Sequence, residues 1–186
     1  TAKRLPTFLG NHDFGRFARE MRVAHPEAND AEILKRVLLG HSMLFTLRGV
    51  PTVYSGDEQG FAGDGNDQDA REDMFPSKVA VYNDNKLVGT VKKNSDANFD
   101  LQHPIYRHIA KLATLRLEHP ALRRGDQVVR NYSEKPGLFA VSRIDPQSKT
   151  ELLVVFNTAN SPLAANVEIG KEVTSLATVY GICPPA

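Results

Sequence analysis

Apolar positions first gather in Leu5-Pro6-Thr7-Phe8-Leu9, a run that stops at Gly10 and is followed by three polar side chains, Asn11, His12 and Asp13. A short apolar run closed by glycine predicts a buried parallel strand over residues 4–9. The polar triplet then leaves the sheet at the strand's carboxyl end, where α/β proteins carry their chemistry. Residues 14–23 predict a short helix with Phe14, Phe17, Ala18 and Met21 on one face. Asn29 with Glu32 three positions on forms a capping box, so a longer helix is expected from near Asp30. Ile33, Val37, Gly40, Leu44 and Leu47 make its apolar stripe, widened by Leu34, Leu38 and Phe45. Gly49 falls where a left-handed cap is needed, and the β-branched run Val50-Pro51-Thr52-Val53-Tyr54 predicts a second buried strand. Strand, helix and strand with tight connections imply parallel pairing and a right-handed crossover. Asn11-His12-Asp13 and Ser55-Gly56-Asp57-Glu58 should therefore emerge from one edge of the sheet.

The pattern weakens over residues 59–98, a long polar segment rich in glycine and aspartate with a hairpin expected around Asn83-Asp84-Asn85. Loops of this length are uncommon unless they serve a function. Pro104 then opens a helix at its first position, with Ile105, Ile109, Leu112, Ala113 and Leu117 on its inner face, and His119-Pro120 ends it. After Gly125 the period shortens. Residues 127–132, 138–144, 152–157, 164–169 and 174–179 read as strands separated by polar, proline-containing turns, the pattern of a small antiparallel β-sandwich.

Composition narrows the function classes. The chain has 186 residues, of which 41% are hydrophobic and 24% charged, an ordinary globular balance. With 23 basic and 22 acidic side chains the net charge is +1, which gives no field to recruit nucleic acid or an anionic membrane; a neutral or weakly polar small ligand is expected instead. No apolar run reaches the roughly 18 residues of a membrane span. Cys183 is the single cysteine and makes no internal disulfide. The start at Thr1, with neither Met nor a leader and a strand almost at once, suggests a piece of something longer.

Phe8-Leu9-Gly10-Asn11-His12-Asp13, the helix over residues 33–47 and Gly49-Val50-Pro51-Thr52-Val53-Tyr54-Ser55-Gly56-Asp57-Glu58 together resemble the seventh strand, seventh helix and eighth strand of the α-amylase family of glycoside hydrolases. The helix through His119-Pro120-Ala121-Leu122 resembles that family's eighth, and the later strands its C-terminal β-domain. The resemblance implies an α/β fold: the last two strands and helices of a (β/α)8 TIM-type barrel in residues 1–125, then an incomplete all-β domain in 126–186. It implies a parent enzyme of carbohydrate metabolism that cleaves α-glucosidic bonds of starch or related oligosaccharides with retention. Asp13 matches the family's transition-state-stabilising aspartate, and His12 the histidine that bonds a sugar hydroxyl, with Asn11 beside them as a further substrate contact. The nucleophile and the general acid belong to strands this sequence does not contain, so the isolated chain is expected to be inactive. The partners implied are an α-glucan substrate and either the missing N-terminal part of the barrel or a second copy of the chain. The resemblance favours an extracellular or periplasmic protein.

Other readings of the same residues stay open. Asp13 alone would also serve as N-cap of the helix over residues 14–23, and the chain as a whole could be a non-catalytic carbohydrate-binding or regulatory module. Asp57 and Glu58 could pair with Asp13 across strands about 4.8 Å apart, though they read better as positioning or rim residues. His41 and His108 read as structural. Asp64, Asn66, Asp67 and Asp69 invite a calcium loop, but Gln68, Asp69 and Phe75 stand where the EF-hand pattern needs other residues. No metal or cofactor is expected in this chain, while calcium is compatible with the parent. Asp69, Arg71 and Glu72 are expected to form a surface ion-pair cluster.

Overall fold

The strand, helix, strand order at the start of the chain is realised with parallel pairing in the structure, a computed structural model that describes residues 2–171 and 173–181. β1 (Pro6–Thr7) and β2 (Val50–Pro51) lie in register Pro6 to Val50 and Thr7 to Pro51. The ladder continues through Val50 N–H to Leu5 O at 2.9 Å and Thr52 N–H to Thr7 O at 2.8 Å. Both strands are shorter than the apolar runs that announce them, and they are not buried: Leu5, Phe8 and Val50 are exposed. A two-stranded ladder gives each strand one neighbour and the helices cover only part of its surface, so apolar side chains along it stay open to solvent. Gly49, at φ +120, passes so close to Thr7 that a Cβ there would sit 2.5 Å from the threonine methyl, which is why the crossover enters β2 through a glycine.

Two helices fill the crossover, α1 (Phe17–Ala24) and α2 (Asp30–Thr46). α1 begins three residues later than the apolar spacing suggests, with Arg16 as its N-cap and Phe14 left outside and exposed. α2 starts where expected, and Asn29 Oδ1 accepts the Glu32 N–H at 3.0 Å. Ile33, Val37, Gly40 and Leu44 are its buried stripe. Ile33 and Val37 pack with Ala18, Ala62, Val88 and Ile105, and Leu44 and Phe45 with Leu112. A Cβ on Gly40 would lie 2.4 Å from the Phe17 ring, so the glycine is what lets α1 settle on α2. His41 hydrogen-bonds the Val37 carbonyl at 2.8 Å, and His108 lies 2.8 Å from Ser42 Oγ; both are structural.

The chain divides into two compact units: Arg4–Phe45 with Gly49–Ala113, and, apart from it, residues 2–3, 46–48 and everything described from 114 onward. In the first unit the hairpin expected at Asn83-Asp84-Asn85 is replaced by a single helical turn, α3 (Ala80–Asn83). Asn83 Nδ2 donates back to Ser77 O, a side-chain bond that closes the turn without a strand. α4 (Pro104–Glu118) buries Ile105 and Leu112, whereas Ala113 and Leu117, expected on the same face, are exposed.

In the second unit α5 (Pro120–Arg124) follows at once, because Pro120 suits a helix's first turn. One antiparallel sheet follows, in the order β3 (Asp126–Asn131), β4 (Leu138–Ile144), β5 (Glu151–Asn157), with a bulge at Arg130. Residues 164–169 and 174–179, expected as strands, form none. Alternation makes a segment fit to be a strand, but only a neighbour's free edge makes it one, and here most of their side chains are exposed. The second sheet of a sandwich is thus absent among the described residues. Cys183 lies outside them. No helix among them is long and apolar enough to cross a membrane.

Candidate functional site

β1 delivers the chain to a turn that the sequence builds from its own side chains. Asn11 Oδ1 accepts the N–H groups of Asp13 at 2.8 Å and Phe14 at 3.0 Å, an Asx turn that bends the backbone sharply just past the strand. His12 and Asp13 stand on this turn, both well exposed, with His12 Nε2 3.3 Å from Asp13 Oδ1. Phe8 and Phe14, which precede and follow it in the chain, stack on each other with ring centroids 6.3 Å apart. Because α1 starts at Phe17, Asp13 is not its N-cap. The carboxylate has no helix terminus to satisfy and is presented to solvent at the strand's carboxyl end.

Beneath the turn lies a buried ion cluster with no counterpart in the sequence reading. Arg16 is fully buried. Its Nη1 donates to Asp57 Oδ1 at 2.9 Å and to the Ser55 carbonyl at 2.6 Å, and its Nε donates to Glu72 Oε2 at 3.2 Å, with Nη2 reaching the Glu72 carbonyl at 3.3 Å. The guanidinium carbon sits 4.2 Å from the centroid of the Tyr54 ring and 5.4 Å from that of Phe61. Glu72 Oε1 also accepts the Gly63 N–H at 3.2 Å. One cation thus ties the exit of β2 to the far end of the glycine-rich loop.

Burial pushes both carboxyls up, Asp57 to about 6 and Glu72 to about 7, against the opposing pull of Arg16. The cause is desolvation, which disfavours a carboxylate taken out of water; a neighbouring acid adds a smaller push in the same direction, Glu58 on Asp57 and Asp57 on Glu72.

These contacts bear on two readings. The pairing of Asp57 and Glu58 with Asp13, the reading set behind a positioning or rim role, is not formed: Asp57 turns inward to Arg16, and Glu58 Oε2 accepts the Gly56 N–H at 2.9 Å. Nor do Asp69, Arg71 and Glu72 form a surface cluster. Arg71 pairs with Asp67 at 3.1 Å, Asp69 accepts from the Asn66 amide, and Glu72 is buried on Arg16. The acidic loop spends its oxygens on itself, and among the described residues no group of His, Cys, Asp or Glu gathers as a metal-ligand set. Arg16 and Glu72 lie 56 positions apart, a separation no periodicity reports. The available signal was the density of Gly60, Gly63 and Gly65, which marks backbone running close against other backbone.

The arrangement has one clear chemical capacity. An exposed carboxylate with an imidazole beside it, raised on a rigid base at the carboxyl end of parallel strands, can hold hydroxyls of a bound polyol and favour positive charge on it.

Comparison with known proteins assigns the scaffold. The family model described as the catalytic domain of alpha amylase matches residues 1–125. An alpha-amylase of Streptomyces lividans is 42% identical over 94% of this chain, which spans 19% of that protein's length. A cyclomaltodextrin glucanotransferase of Geobacillus stearothermophilus is 31% identical over 64% of the chain, corresponding to 12% of its own. Among solved structures, an Anoxybacillus alpha-amylase superposes with a TM-score of 0.58 at 27% identity, over 84% of this chain and 27% of that one. The chain accordingly covers a fraction of its relatives, and with most of that fraction matched by their catalytic domain, it belongs to the alpha-amylase family of glycoside hydrolases.

Proposed function

We propose that the protein containing this chain is a retaining glycoside hydrolase acting on α-glucosidic bonds of starch or related oligosaccharides, with Asp13 as the transition-state stabiliser and His12 and Asn11 as substrate contacts. Residues 1–125 are the last two strands and helices of its (β/α)8 barrel, and 126–186 belong to a C-terminal all-β domain. The supporting observation is the Asx turn that lifts His12 and Asp13 into solvent at the carboxyl end of β1. An ionised carboxylate there favours the positive charge that develops as the glycosidic bond breaks, while His12 bonds a hydroxyl of the same ring. Asn11, whose Oδ1 builds the turn, offers its Nδ2 to substrate.

Retention requires a nucleophile and an acid/base about 5–5.5 Å apart, and both lie outside this chain. The exposed Leu5, Phe8 and Val50 are the surface that the remaining strands would cover; without them the isolated chain joins a second copy through the same surface. In the full-length protein, Asp13→Asn should lower kcat on maltooligosaccharides by a factor of about 10² to 10³ with a smaller change in KM, and His12→Ala should cost less. The purified chain alone should turn over none. An unchanged kcat in Asp13→Asn would refute the assignment and leave a sugar-binding role for the turn.

A further inference from the structure

We propose that Arg16 is a positioning residue for Asp13: clamped between Asp57 and Glu72, it anchors the near end of α1 so that the turn carrying His12 and Asp13 is held from beneath at both of its ends. This rests on the functional reading of Asp13 given above.

The turn is short and its two ends meet. A Cβ on Gly10 would lie 3.2 Å from the Gly15 carbonyl and 3.8 Å from Asp57 Oδ2, so the residue entering the turn passes about one side-chain carbon away from the carboxylate that Arg16, just beyond the turn, holds through Nη1. Asp57 thus lies near both ends. The far side is closed by the glycine-rich loop. Gly63, at φ +56, donates its N–H to Glu72, a Cβ on it would lie 3.3 Å from Arg16 Cγ, and Gly65 approaches Gly15 closely enough that a Cβ on Gly15 would be 3.3 Å from the Gly65 Cα. Within the turn, Asn11 fixes the local bend, and among the described residues the side chains of His12 and Asp13 have no polar partner other than each other. Where Asp13 stands is thus decided by Asn11 inside the turn and by Arg16 under it.

The guanidinium is suited to this because its planar fork reaches Asp57, Ser55 O and Glu72 in three directions at once, which a lysine ammonium on a flexible stem does not reproduce. Arg16 touches no substrate in this scheme. It acts through the place it gives Asp13.

The test is a double-mutant cycle in the full-length protein, with kcat and KM measured separately on a maltooligosaccharide and active sites counted by titration, so that unfolded enzyme does not enter the rate. Arg16→Lys, which keeps the charge and loses the fork, should lower kcat by as much as about 10²-fold, the cost of a displacement near 1 Å, with KM nearly unchanged. Glu72→Gln, which keeps the shape, should fold and show a smaller loss of the same kind. In an Asp13→Asn background, Arg16→Lys should cost less than about twofold more, since coupled groups do not add. If Asp13→Asn lowers kcat but the two losses multiply, Arg16 does not act through Asp13 and the positioning role is overturned while the function stands. If Asp13→Asn leaves kcat intact, the functional reading fails and this one with it.

Discussion

Arg16 and Arg143 are both fully buried, and they hold their charge in opposite ways. Arg16 faces two carboxylates and two aromatic rings. Arg143, in β4 of the other unit, is hydrogen-bonded among the described residues to backbone carbonyls: Nη1 donates to Thr46 O at 2.6 Å, and Nη2 to Leu122 O at 3.2 Å and Gly125 O at 3.3 Å, while its Nε has no hydrogen-bond partner among them. Burial lowers its affinity for its proton to about 10, with Arg116 and Arg48 adding to the same effect. Thr46 closes α2 and Leu122 lies in α5, so this cation satisfies carbonyls at helix ends, where the helix dipole is negative. The difference teaches what each is for. A cation among dipoles ties chain segments together without leaving a charge behind, whereas a cation between two acids makes a cluster whose protonation is tied to its geometry.

Arg16→Met should produce the largest loss. It leaves Asp57 and Glu72 buried without their cation, and breaking a buried pair from one side costs about 3–5 kcal/mol. Arg143→Met should cost less, about 1–3 kcal/mol, since it abandons carbonyls and no opposite charge. Denaturant unfolding of the two full-length variants compares them directly; equal losses would mean that Arg16 is held by dipoles and packing no less than by its acids.

Glu72→Gln sharpens the comparison through pH. Burial pushes the Asp57 and Glu72 carboxyls up to about 6 and about 7, above their ordinary 3.8 and 4.5. Between about pH 4 and 7 the folded state therefore retains protons that the unfolded chain has released, and the unfolding free energy falls as pH rises through that window. Removing the Glu72 titration should flatten this slope in midpoints measured from pH 4.5 to 8. An unchanged slope would show that the cluster does not carry the proton. Asp145 shifts the other way: Arg124, bonded to both of its oxygens at 3.0 Å, holds its carboxyl well below the usual carboxylate range, so its contribution is present above about pH 4 and lost as pH falls through its lowered pKa.

The smallest effect should be that of Asp13→Asn on stability. Its side chain is exposed and caps no helix, so the unfolding midpoint should move by no more than the equivalent of about 0.5 kcal/mol. A larger shift would mean that the turn is held from above as well as from beneath.

The parts of this molecule legible in the sequence are those decided over a few residues. Asn29 caps α2 because its side chain reaches an N–H three positions on; the stripe Ile33, Val37, Gly40, Leu44 is buried because helical spacing puts it on one face; residues 138–144 form β4 with the predicted limits. The exposed Asn11-His12-Asp13 turn was also readable, since a glycine closing an apolar run marks where a strand ends. Tertiary structure alone decided the rest. Whether residues 164–169 and 174–179 became strands depended on an edge to pair with, and whether the apolar runs of β1 and β2 were buried depended on neighbours outside them. Arg16 shows the same limit most plainly: in the sequence it is one of many charged residues, and only the fold, by bringing Asp57 and Glu72 to it from 41 and 56 positions away, supplies opposite charge at hydrogen-bond distance and makes its burial tolerable.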